Sequence, residues 1–152
     1  MIYTSPPRNL RAVFRAVWCL VVFEGTILLL LRKRNTPLGG LWGLPGGGVK
    51  PDEAMLTAMV RELDEEVGRN WRKSRGLFRF TGKVWAQHEL PNSPQPDGIF
   101  YIYQLNPDKK FSVRVNPEEH EGHLWARPKE LAGMCTVPDL EDLIKLACPK
   151  LL

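Results

Sequence analysis

Residues 40–68 read GLWGLPGGGVKPDEAMLTAMVRELDEEVG. The first half is rich in glycine and proline, and the second carries a helical repeat. At about 100° per residue, Leu56, Met59, Val60, Leu63 and Val67 fall on one stripe, which predicts an amphipathic helix over roughly 53–67 with that stripe in the core. Asp52 is expected to cap the first turn, and Glu53 suits the positive end of the helix dipole. Glu62, Glu65 and Glu66 stand at i, i+3 and i+4 and project together from an adjacent face. Asp64 points elsewhere and reads as solvated. Carboxylates one turn apart repel by a few tenths of a kcal/mol per pair, so this face is either solvated or built around a cation. Three converging carboxylates form an oxygen-only set suited to Mg²⁺, with Mn²⁺ as the alternative. The glycines at 46–48 let the backbone approach a ligand closely and would set the loop against the acidic face, which makes Gly46 and Gly47 candidate substrate contacts.

The rest of the chain frames this stretch. Its 152 residues suggest one domain spanning 1–152. The formal charge is +4 and the pI about 9.1. Cys19, Cys135 and Cys148 lie far apart with no CxxC pair, which argues against a zinc site and a disulfide framework and favours a reducing, cytoplasmic setting. Residues 12–31, AVFRAVWCLVVFEGTILLLL, have the length of a membrane span. Arg15 and Glu24 interrupt the run, however, and Glu24-Gly25 is a turn signal. Neither apolar half reaches the ~20 residues a span needs. Two buried strands joined by a tight turn fit better.

The coarse order is strand 13–23, strand 26–33, loop 36–52, helix 53–67, and strands near 76–86, 99–105 and 122–126. A short helix near Arg127 and a last helix over 138–147 follow. Strands mixed with helices predict an α/β or α+β sandwich.

The spacing Gly47, five residues, Glu53, seven residues, Arg61-Glu62-Leu63, one residue, Glu65-Glu66, one residue, Gly68 resembles the Nudix box of the Nudix (MutT-type) hydrolases. HLWARPKEL (123–131) is similar to the strand-Trp-helix segment of that family. The family's usual aliphatic residue after the last glycine is Arg69 here, which touches helix-end packing and leaves the carboxylates intact. The resemblance implies an α/β/α sandwich with a mixed sheet. It also implies Mg²⁺-dependent hydrolysis of a nucleoside diphosphate linked to another group. Glu62, Glu65 and Glu66 match the metal positions, Arg61 matches the arginine that orients box carboxylates, and Glu53 matches a more peripheral glutamate.

Such chemistry needs a proton acceptor. EEHEGHLW (118–125) supplies Glu119 and Glu121 as candidates for the base or a fourth ligand, on a loop before Trp125. Arg32 and Arg34 are candidates for holding phosphates. Trp85 is a candidate for stacking on a base, as are Trp125, Phe100 and Tyr101. Asp139, which could instead cap the last helix, is a candidate for reading base edges. The polar loop QHELPNSPQPDG (87–98) is expected to flank the non-nucleotide part of the substrate. No proline stands about 15 residues past the box, which disfavours an ADP-ribose type. A compact chain leans toward nucleoside triphosphates, including oxidised ones, or nucleotide sugars. The rivals are a catalytically silent nucleotide- or RNA-binding module and an RNA 5′-end pyrophosphohydrolase. The positive charges read as scattered, which makes nucleic acid an unfavoured partner. A membrane partner is not expected, and a homodimer is compatible with the sequence.

Overall fold

The computed structural model describes residues 1–10, 13–87 and 97–151. Nine of the twelve positions in the 87–98 loop, residues 88–96, lie outside the described residues.

Strand β1 (Ile2–Tyr3) is short. β2 (Val13–Phe23) and β3 (Thr26–Arg32) form the expected hairpin, with Val22 opposite Ile27 and Phe23 opposite Thr26. Glu24 (φ 47°) and Gly25 (φ 73°) both take the left-handed conformation, as a two-residue turn matched to strand twist requires. Among the described residues, no helix is long and apolar enough to cross a membrane. β4 (Trp42–Gly43) and β5 (Gly46–Gly48) follow, then helix α1 (Met55–Val67). β6 (Phe78–Ala86), β7 (Asp97–Leu105), β8 (His120–Ala126) and α2 (Leu140–Ala147) complete the fold.

The sheet order is β1-β6-β7-β2-β3-β4, with β5 added to β2 and β8 to β3. β2 and β7 run parallel while the other strand pairs run antiparallel, so the sheet is mixed. Period-2 alternation divides β2 and β3 between two cores. Val17, Cys19, Val21, Leu28 and Leu30 pack against Met59, Val60, Leu63 and Val67 of α1. Ala16, Leu20, Val22, Ile27 and Leu29 pack against Leu140, Leu143 and Ile144 of α2. Strands buried on both faces read as continuous apolar runs, which is why residues 12–31 look like a span. The result is the expected α/β/α sandwich.

Several boundaries differ from expectation. α1 starts at Met55, and Asp52 does not cap it: Asp52 sits at φ 60° within a turn, and the N-cap position is Ala54 with no side-chain bond. Leu56 is half-buried, while the rest of its stripe is in the core. Asp64 is not merely solvated, because its Oδ1 accepts the Trp71 backbone N–H and secures the exit from the helix. The glycine loop contains two short strands, since its backbone finds partners on β2 and β3. β8 begins at His120 rather than 122, which places Glu121 within a strand. The helix expected near Arg127 is a 3₁₀ turn, Pro128–Gly133.

Candidate active site

The glycine run is dictated by two close approaches. β5 pairs with β2, with Gly46 opposite Trp18 and Gly47 opposite Val17. Gly46 sits at φ 144°, where a Cβ would overlap the Val17 carbonyl oxygen. A Cβ on Gly47 would stand 2.5 Å from Glu62 Oε2 and 2.6 Å from its Cδ. The loop thus lies directly on the acidic face, and Gly46 N–H donates to Glu66 Oε2 at 2.6 Å.

Arg61 organises the exposed half of the cluster. Its Nε donates to Glu53 Oε1 at 2.8 Å, and one terminal nitrogen donates to Glu53 Oε2 (2.9 Å) and to the Gly48 carbonyl (3.0 Å). The other donates to Glu62 Oε1 at 2.6 Å and stands 3.6 Å from Glu65 Oε2. Glu53 also accepts the Lys50 N–H at 2.9 Å. The bidentate bond from Arg61 pulls the Glu53 carboxyl down to about 2. Glu53 therefore lies outside the helix and serves as an anchor for the guanidinium.

The inner half is buried. Glu66 is 2% exposed, and burial raises its carboxyl well above the ordinary range. The Gly46 N–H opposes that rise, and the charges of Glu62 and Glu119 add to it. Glu62 is raised by burial against the pull of Arg61. His120 Nε2 lies 3.6 Å from Glu66 Oε1. Burial first, and then the charge of Arg32, hold His120 down to about 4, so it is neutral at pH 7 and does not compensate Glu66. Ligand atoms of Glu66, Glu119 and His120 lie within 4.8 Å of one another. This region has an excess of buried negative charge and a donor set dominated by carboxylate oxygen, which fits a hard divalent cation; among the described residues Glu66, Glu119 and His120 are the ones grouped closely, the charge of Glu62 reaches them, and the more exposed Glu65 lies beside Arg61.

The sign of this electrostatics is testable. A carboxyl whose folded pKa is raised contributes stability below its unfolded pKa, and that stability is lost as pH rises through the folded value. Ionising Glu62 and Glu66 should thus destabilise the metal-free protein, and a cation should restore the loss. The rise in Tm on adding Mg²⁺ should grow from about pH 5 to about pH 8. Differential scanning fluorimetry with and without chelator measures it, and a rise that shrinks with pH would contradict the assignment.

The structure separates the two acids before Trp125. Glu119 joins the cluster, whereas Glu121 Oε1 accepts the Arg34 backbone N–H at 3.1 Å. The Arg34 side chain is exposed. Arg32 is half-buried, with Nε bonded to the Pro37 carbonyl at 2.9 Å, and its charge reaches both Glu66 and His120.

Beside Gly46–Gly48 opens a cavity of about 330 Å³, lined by Arg32, Phe14, Trp18, Phe100, Gln87 and Asp139 among others. Trp18 and Phe100 stack with centroids 4.1 Å apart at 30°. Trp85 is not part of this lining: it is buried on β6 between Tyr3 and Ile99, under the Lys83 ammonium. Trp125 instead packs against Phe23 and Phe111. Sequence reasoning missed Phe14 and Trp18, although Phe14, Ala16 and Trp18 alternate along one face of β2. Asp139 takes the N-cap position of α2 at φ 61° without a capping bond, and its Oδ2 lies 3.0 Å from the Met1 amino nitrogen. Its carboxylate is thus paired with the Met1 ammonium at the edge of the cavity and does not serve the helix.

A family model described as the NUDIX domain matches residues 13–146. The chain is 30% identical over 119 residues to the CTP pyrophosphohydrolase of Escherichia coli, covering 78% of each protein. It is 28% identical over 122 residues to the nucleoside triphosphatase NudI of Salmonella newport, covering 78% of this chain and 85% of that one. Among solved structures, the MutT protein of Methanosarcina mazei superposes with a TM-score of 0.71 at 24% identity, covering 92% of this chain and 94% of the other. The NUDIX domain of Shewanella oneidensis NrtR, solved with ADP ribose, gives 0.74 at 19% identity over 97% and 94%. At these identities the two structures speak to the fold alone.

Proposed function

The chain belongs to the Nudix hydrolase family, and on that premise we propose that it is a Mg²⁺-dependent pyrophosphohydrolase of nucleoside triphosphates whose bases carry an exocyclic amine, cytidine above all. It splits the bond between the α and β phosphates with water, giving a nucleoside monophosphate and pyrophosphate. The observation that carries this reading is the continuity of the carboxylate cluster, the glycine strand and the aromatic cavity. One end suits a cation and phosphates, and the other suits a base.

Glu62, Glu65 and Glu66 would hold the cation, which when bound neutralises phosphate oxygens and acidifies water. Arg61 fixes Glu53 and Glu62 in place, and the Gly46 N–H fixes Glu66. Arg32 contributes positive charge where the cavity meets the cluster. Glu119 takes a proton from the attacking water, a role open to it because it is exposed. The apolar wall of Trp18, Phe14 and Phe100 favours a planar base. Asp139 can only accept hydrogen bonds when ionised, which selects an amino group such as cytosine N4 over the carbonyl of uracil. Similarity to the CTP pyrophosphohydrolase supports the same choice. A catalytically silent binding module would have no use for a buried, mutually repelling carboxylate set.

A Mg²⁺ substrate panel with resolved products tests this, spanning canonical and oxidised nucleoside triphosphates, ADP-ribose, nucleotide sugars and dinucleoside polyphosphates. CTP should exceed UTP in kcat/KM by about tenfold to a hundredfold, the worth of one charge-assisted hydrogen bond, and Asp139→Ala should erase most of that ratio. A preference for nucleotide sugars, or a ratio untouched by Asp139→Ala, would refute the assignment.

A further inference from the structure

One stretch of the sequence is basic without a balancing acid. Between Val67 and His88 the sequence holds Arg69, Arg72, Lys73, Arg75, Arg79 and Lys83, and neither Asp nor Glu. The fold places part of this run on an aromatic row along the α1 side of β6 and β7. Arg75 donates to Thr57 on α1 at 3.1 Å, and its charge reaches the Tyr103 hydroxyl. Tyr103 pairs across the strands with Phe80, ring centroids 5.5 Å apart, and Phe80 lies 6.5 Å from Tyr101. Tyr101 pairs with Lys83, whose ammonium sits 5.2 Å from the Trp85 ring. α1 packs on β2 and β5 and α2 on the opposite face; Tyr103 is buried in the cluster that includes α1, while among the described residues Phe80 and Lys83 stay exposed. Phe80 is 52% exposed, with Leu77 beside it at 47%.

A ring-bearing face flanked by cations selects its occupant. A second copy docking about a twofold axis would bring these same cations against one another, without acids from residues 67–88 to offset them. An acidic peptide would satisfy the charge and leave the rings unused. Duplex nucleic acid would offer phosphates but hide its base faces. A single strand offers both phosphates and unstacked bases. We propose that the β6–β7 face, centred on Phe80 with Arg75 and Lys83 at its ends, binds single-stranded nucleic acid with little sequence preference. Arg75, Phe80, Tyr101 and Lys83 do not line the nucleotide cavity, so this site is separate from the one that takes the substrate.

Fluorescence anisotropy with a labelled oligo-dT of about 20 nucleotides, in chelator, tests it on the full chain. The strand should bind more tightly than a duplex of equal length, and saturating CTP should not displace it. Phe80→Ser, a substitution at an exposed position, should weaken binding about tenfold. Arg75→Ala with Lys83→Ala should lower the slope of log K against log salt by about 1.4. CTP hydrolysis should be unchanged in both variants. Absence of binding at low salt, equal affinity in the variants, or displacement by CTP would overturn the proposal. So would sedimentation showing that Phe80→Ser converts a dimer to a monomer without changing affinity.

Discussion

Glu66→Gln should lower kcat on the best nucleoside triphosphate by roughly 10²–10⁴, the consequence of losing one charged group from a cation site that stabilises the transition state. The amide is nearly isosteric, and its oxygen can still accept the Gly46 N–H that now donates to Glu66 Oε2 at 2.6 Å. The loop and helix should therefore stay in register. What disappears is a carboxylate that is 2% exposed and whose charge is disfavoured by burial and by Glu62 and Glu119. The metal-free variant should melt at a higher temperature than wild type above neutral pH, and Mg²⁺ should no longer raise its Tm to the wild-type extent. Loss of activity together with a gain in apo stability is the signature of a group retained for chemistry at a cost to the fold. Stopped assays give kcat, and fluorimetry in chelator gives the Tm. Near-wild-type turnover would remove Glu66 from the site, whatever the stability shows.

The same residues explain how much the sequence reveals. The helix stripe and the i, i+3, i+4 carboxylates are local, so spacing alone places Glu62, Glu65 and Glu66 together, and the hairpin follows from a turn signal between two apolar runs. The cap at Asp52 failed because Glu53 is drawn out of the helix by Arg61, eight residues away, and long-range ion pairs leave no mark in a propensity window. The cavity wall was only partly legible: Phe14 and Trp18 alternate on β2, but a ring on a strand reads as core until the sheet order shows which faces are covered. Trp85 illustrates the converse, an aromatic that seemed available and is closed off by Tyr3, Ile99 and Lys83. Which cations of the basic run after the box share a face depends on a β-bulge between Phe80 and Gly82 and on the 3₁₀ segment Arg72–Leu77; Lys83 pairs with Tyr101, while Arg79 turns to Gln104. Neither feature has a strong sequence signature.

Glu119→Gln and Glu121→Gln should have unequal effects, although the two acids stand two residues apart. His120 Nε2 near Glu66 and the Lys33 N–H bond to the Glu119 carbonyl (2.9 Å) hold the turn so that Glu119 faces the box. One step into β8, the alternation of the strand carries Glu121 away from it, and the Arg34 N–H binds its carboxylate. Replacing Glu119 removes a negative group from the cluster and the exposed acceptor proposed to take the water proton, so kcat should fall by about 10²–10⁴. KM should change little if the loss is confined to the transition state. The acidic limb of the pH–rate profile should flatten or move in that variant alone. Replacing Glu121 by Gln keeps an oxygen acceptor for Arg34, and its kcat should stay within about a factor of two of wild type. A fall in KM-limited binding without a change in kcat for Glu119→Gln would make it a ligand-holding group and not the base, and the proton would then pass to Glu62, the box carboxylate already bonded to Arg61. Equal losses in both variants would instead mean that the turn before β8 acts through its backbone, with neither carboxylate touching the reacting water.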